Sequence, residues 1–124
     1  MGKRIIAQRR GQGSSRYRVH SFKYKGKAKI FPGRDSALVT DLVSCKGHTA
    51  PLAQVCYDDG AVGFAIAPEG VSVGDVIDMS DKAKLSHGNV MKLNDIPEGI
   101  SVFNLESVPG DGGKFVRSSG SYAK

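Results

Sequence analysis

From residue 37 onward, apolar and polar residues alternate with a period of two in short stretches, each closed by turn residues. The sharpest stretch is 61–67, AVGFAIA. There Val62, Phe64 and Ile66 fall on one face of a predicted strand, and Gly63 opposite them leaves room for a bulge or sharp bend. Residues 37–45, ALVTDLVSC, are rich in β-branched side chains and predict a strand with apolar residues on both faces. Lys46-Gly47-His48-Thr49 is turn chemistry, and 51–57, PLAQVCY, predicts a second strand. Asp58-Asp59-Gly60 joins it to 61–67 as a tight hairpin, because glycine accepts the positive φ that such a turn needs. Pro68-Glu69-Gly70 turns the chain again, and 76–79 predicts a fourth short strand.

Residues 82–89 form a polar joint. Beyond it, 100–106 (ISVFNLE) and 114–117 (KFVR) predict two more strands around a glycine-dense loop at 109–113, and 118–124 trails off polar. No window sustains a 3.6-residue period, so little helix is expected beyond a short turn at 91–96. Short strands at regular spacing, separated by Gly/Pro turns, predict an all-β barrel or sandwich. The second β unit is incomplete, since two or three short strands do not close a sheet or bury a core unaided.

Charge changes the picture ahead of residue 35. Lys3, Arg4, Arg9, Arg10, Arg16, Arg18, Lys23, Lys25, Lys27, Lys29 and Arg34 stand there without one acid. The remaining chain carries seven cations against twelve acids, so a net charge of +6 conceals an arm of +11 and a body of −5. An arm so charged repels itself and calls for a polyanion. Tyr17, Phe22, Tyr24 and Phe31 lie between the cations, where bases or riboses can stack as phosphates are neutralised. Gly11, Gly13, Ser14 and Ser15 keep the backbone thin, and the arm is expected to be disordered alone and ordered on its polyanion.

Other classes find little support. No apolar run approaches the ~20 residues of a membrane span, no apolar segment follows the basic N-terminus as in a secretory signal, and the cytosol is the expected compartment. Cys45 and Cys56 make no disulfide framework. Cys45-x-x-His48 with Cys56 and His87 lacks the paired short spacing of a zinc site; buried cysteines and surface histidines are expected, with no metal or cofactor. Gly113-Lys114 is followed by Phe115, which excludes a P-loop, and no nucleophile motif is present, so no enzyme is expected. The 109–113 loop remains a candidate anion site, its backbone N–H groups reinforced by Lys114 and Arg117, with Ser118 and Ser119 as donors to phosphate or ribose.

Three segments carry a family resemblance: MGKRIIAQRRGQGS; APLAQVCY with FAIAPEGVSVGDVI; and GNVMKLNDIPEGISVFNLESVPGDGGKFVRSSGSYA. Together they resemble ribosomal protein two of the large subunit in its archaeal and eukaryotic form. The resemblance implies an extended basic RNA-binding arm (1–34), an oligonucleotide-binding-type barrel (35–84) and the start of an SH3-like barrel (85–124). It implies a structural constituent of the large ribosomal subunit. Such a protein binds large-subunit ribosomal RNA beside neighbouring ribosomal proteins and supports assembly, subunit association and the peptidyl-transferase region. Arg117 matches an arginine of the family's RNA-contacting segment. Family members are about twice this length, and the tail that approaches the peptidyl-transferase centre is not in this sequence. His48 stands where the family carries an arginine, and a neutral imidazole is a weaker phosphate partner. The competing reading is a free-standing single-strand-binding module, which the scarcity of aromatics on the first unit, Tyr57 and Phe64, disfavours.

Overall fold

The β-rich pattern produces one four-stranded antiparallel sheet. In the computed structural model, which describes residues 2–124, its strands are β1 (Ser36–Val43), β2 (Leu52–Tyr57), β3 (Val62–Ile66) and β4 (Val76–Asp78), in the order β3-β2-β1-β4. The β2–β3 hairpin closes at Gly60, whose φ is 82°, and the Asp59 carboxylate accepts the Ala61 N–H at 3.0 Å. The extra residue that bends the sheet is not at Gly63. It lies in β1, where the pairing with β2 slips between Val39 and Asp41 and the Thr40 hydroxyl donates to the Gln54 carbonyl at 3.1 Å.

Both faces of the sheet are used. Ala37, Val39, Ala53, Val55, Tyr57 and Ile77 form the inner core. Cys45, Ala50, Leu52, Ile66 and Ala28 form a second cluster on the opposite face, against which Val43, Phe64 and Phe103 pack. Gly63 belongs to the inner face and makes room for aromatics there. A Cβ on it would sit 2.9 Å from Phe31 Cε2 and 3.3 Å from Tyr57 Cε2.

Beyond the sheet the expected strands 100–106 and 114–117 form no ladder. Among the described residues, the isolated bridges Leu105↔Phe115 and Val102↔Ala123 and the Asn104 N–H bond to the Val116 carbonyl join this region. The reason is backbone hand. Asn104 (φ 53°) and Val116 (φ 55°) sit in the left-handed region, which breaks the pleat on both sides of the loop. The expected helical turn is a single 3₁₀ turn at Leu93–Asp95.

The basic leader is not uniformly extended. It holds a short helix α1 (Ile6–Gly11) and 3₁₀ turns at Ser15–Tyr17 and Ser21–Lys23. The Gln8 side chain accepts the Ile5 N–H at 3.2 Å at the start of α1, and Ala, Gln and Arg are good helix formers even without a long apolar stripe. From Lys25 the leader docks on the body. The Lys29 N–H donates to the Phe64 carbonyl at 2.9 Å, the Ile30 N–H to the Gly112 carbonyl at 3.2 Å, and Ala28 is 3% exposed.

Substitution Gly63→Val tests this docking. The added carbons overlap Phe31 and Tyr57, so we expect a loss of about 1–3 kcal/mol in urea unfolding. Proteolysis at residues 25–34 should become faster in the same variant. An unchanged unfolding midpoint would mean that Phe31 does not seat on Gly63.

Candidate nucleic-acid interface

Cations that carry no carboxylate partner are the raw material of a phosphate surface. Among the described residues only two ion pairs form, Arg34–Asp59 at 2.7 Å and Lys92–Asp81 at 2.7 Å. Lys3, Arg4, Arg9, Arg10, Arg16, Arg18, Lys23, Lys25, Lys27 and Lys29 make neither, and all are exposed. The docked part of the leader arranges three of them. Gly26, Ala28 and Ile30 turn toward the body, so Lys25, Lys27 and Lys29 project outward with the period of a strand. Lys46, exposed on the turn after Cys45, adds a cation that sequence reasoning passed over because it was read only as turn chemistry.

The aromatics divide. Phe22 is 80% exposed and stacks on His20 at 5.3 Å, presenting a flat ring to solvent. Tyr24 lies against Gly47, where a Cβ would be 2.7 Å from its ring, and Phe31 packs on Tyr57. These last two rings therefore serve the protein's own packing.

Two arginines of the expected RNA set face inward. Arg34 lies 4.9 Å from the Phe31 and Tyr57 ring centres, and its Nε donates to Asp59 at 2.8 Å. That guanidinium holds the Asp59 carboxyl below the usual carboxylate range. Arg117 donates from Nη2 to the Ala28 carbonyl and from Nη1 to the Gly113 carbonyl at 3.3 Å. It thus ties the leader to the glycine loop across 89 residues of sequence. The Arg117 Nε and the Asn104 Oδ1 are buried without a hydrogen-bond partner.

The glycine loop does bind anions, but they are its own. Glu106 accepts the N–H groups of Gly110 and Gly112, each at 2.9 Å. Asp111 accepts those of Ser107, Val108 and Gly113 at 2.9, 3.2 and 2.9 Å. These bonds, the Gly113 amide first, hold the Asp111 carboxyl below its usual range. The signal was present in Glu106, just ahead of the loop, and Asp111, within it. Lys114 remains exposed, its ammonium 5.8 Å from the Phe115 ring centre. Ser118 and Ser119 are exposed, and the Ser119 N–H donates to the Thr49 hydroxyl at 3.2 Å.

His48 is half-buried and turned to Cys45, its Nδ1 3.3 Å from Sγ. The Lys25 N–H donates to the same sulfur at 3.4 Å. The Lys25 amide first, and His48 second, lower the Cys45 thiol to about 7. Cys45 is buried as expected, whereas Cys56 is only half-buried. No group of three or more His, Cys, Asp or Glu side chains is placed to hold a metal among the described residues.

Two family models match the chain. Residues 2–79 match "Ribosomal Proteins L2, RNA binding N-terminal domain", and residues 86–124 match "Ribosomal Proteins L2, C-terminal domain". Among curated relatives, the large ribosomal subunit protein uL2 of Methanocaldococcus jannaschii is 47% identical over 130 residues, covering 99% of this chain and 54% of the relative. That of Natronomonas pharaonis is 47% identical over 124 residues, covering 97% and 51%. That of Methanosphaera stadtmanae is 43% identical over 130 residues, covering 99% and 54%. The chain spans about half the length of the curated relatives it matches.

Arg117→Leu removes the two charge-assisted bonds that tie Ala28 to the glycine loop. We expect a loss of about 1.5–3 kcal/mol in unfolding free energy, and faster hydrogen exchange at the Lys29 and Ile30 amides. A variant as stable as the parent would show that the guanidinium holds nothing together.

The Cys45 thiol gives a pH signature. Its folded value, about 7, lies below that of an ordinary thiol, so the unfolded chain holds the proton more tightly. This contribution to stability should therefore be fully present above about pH 9, shrink as pH falls from 9 to 7, and be absent below that window. Cys45→Ala should flatten this increment in urea unfolding measured across the window. An equal slope in both proteins would remove the thiolate from the account.

Proposed function

The chain belongs to the ribosomal protein L2 family, and on that premise we propose that it binds large-subunit ribosomal RNA through its basic leader, with the β-rich body aiming the leader. The observation that carries this reading is the set of ten exposed leader cations with no carboxylate partner among the described residues. Phosphate is the ligand that such a set neutralises, and affinity gained this way is largely electrostatic.

In this reading residues 2–24 thread between RNA helices, and Phe22 offers a ring to an unpaired base or ribose. Lys25, Lys27 and Lys29 face the same backbone from the edge of the body. Lys114, Ser118, Ser119 and His48 sit around the second unit and the 45–50 turn as further contacts to phosphate or ribose. Arg34 and Arg117 act as positioning residues, since Arg34 is bound to Asp59 and the terminal nitrogens of Arg117 to the Ala28 and Gly113 carbonyls. The role is structural and non-enzymatic, in the ribosome of the cytoplasm. It supports assembly, subunit association and the surroundings of the peptidyl-transferase region, beside neighbouring ribosomal proteins.

The test is a salt series on the full chain with large-subunit ribosomal RNA and with random single strands. Changing Lys3, Arg4, Arg9, Arg10, Arg16, Arg18 and Lys23 together to Gln should flatten the log–log slope by several units, as each phosphate contributes about 0.7–0.9. The fold should survive, because none of the seven touches either core cluster. Equal affinity for random strands would favour a general single-strand binder. An unaltered slope would remove the leader as the RNA contact.

A further inference from the structure

Four side chains line up across the outer face of the sheet. The pairing sets Val62 opposite Cys56, Cys56 opposite Leu38, and Leu38 opposite Val76. Opposed residues on neighbouring strands point to the same face. They therefore make one apolar row across all four strands, about 14 Å long at the usual strand spacing. Val62 is 57% exposed, Leu38 44% and Val76 63%.

The far end of the same face is covered. Phe64 meets Gly26 of the leader, and Leu52 and Ile66 lie in the cluster with Ala28 and Phe103. The row itself has no such cover among the described residues.

Its flanks are acidic. On one side the next row holds Asp41 opposite Gln54, and on the other Asp78 stands opposite Ser36. The Ser80 backbone N–H, and then the Ser80 hydroxyl, hold the Asp78 carboxyl below its usual range, so it stays ionised at neutral pH. No lysine or arginine occupies any of these three rows. Phosphate would be repelled here, and no exposed ring offers a base a platform. A polypeptide with aliphatic side chains between lysines or arginines satisfies both the row and its flanks.

We propose that this row is a docking site for a basic, aliphatic segment of another large-subunit ribosomal protein. The inference rests on the ribosomal reading for the partner's class, and on charge complementarity for its chemistry. The molecule then divides its surface, with the cationic leader turned to RNA and the acid-flanked row turned to protein.

The test places the photo-crosslinking residue p-benzoylphenylalanine at Val62, and separately at Val76, in the full chain. The chain is expressed in archaeal cells, and large subunits are purified and irradiated. We expect both positions to cross-link to one ribosomal protein, within a peptide rich in Lys or Arg together with Leu, Ile or Val. Leu38→Lys should cut that yield by about fivefold or more through like-charge repulsion, while the salt slope of RNA binding stays as in the parent. Cross-links to RNA alone, to no partner, or to the chain's own α1, which carries Ile6, Arg9 and Arg10, would overturn the docking site. Failure of the chain to sediment with large subunits would overturn the ribosomal reading as well, which separates the two failures.

Discussion

The structure depends on a seam. Residues 28–30 run between the edge strand β3 and the glycine loop, giving one amide to the Phe64 carbonyl and the next to the Gly112 carbonyl. Ala28 bridges Phe64 in a parallel sense and closes the second apolar cluster. Arg117 fastens the same segment from the opposite side by donating to the Ala28 carbonyl. Without this seam, β3 would present an unpaired edge and the weakly bridged second unit would lose one of its ties to the sheet, beside those of Asn89 and Val90 to Asp78.

The seam also explains how charge is distributed. A leader of eleven cations is hard to hold near any body, yet the last ten residues of it are held by backbone bonds, small inward side chains and one ion pair. Lysines at 25, 27 and 29 stay outside because their strand neighbours go in. Arg34 is spent on Asp59 and two aromatic rings, so the leader leaves the body at a fixed point. Carboxylates in the second unit follow the same economy. Glu106 and Asp111 occupy the amides of the glycine loop, which gives the loop a set shape without any external anion.

Strain gathers where the second unit meets the leader. Val116 is β-branched and left-handed, and Asn104 shares that backbone region while its N–H donates to the Val116 carbonyl at 2.9 Å. A Cβ on Gly113 would lie 2.2 Å from Asn104 Oδ1, so this position tolerates only glycine. Such conformations persist only where surrounding contacts over-determine them. Here the surrounding contacts are the seam and the Arg117 bonds.

Local chemistry in the sequence was enough to determine the four strands of the sheet, the hairpin at Gly60, the all-β character of the body and the split between a cationic leader and an acidic remainder. Each depends on neighbours a few residues apart or on simple counting. The family resemblance also lay in contiguous motifs, PEG, NLE, PGDGGK and RSSG, and the family models match at those same segments. Tertiary structure alone decided which cations remain available. Arg34 and Arg117 look like their neighbours in sequence, but their partners are 25 and 89 positions away. The docking of 25–31, the filling of the glycine loop's amides and the apolar row from Val62 to Val76 likewise arise from long-range pairing. No local pattern encodes such contacts, because they exist only once distant strands share an edge or a face.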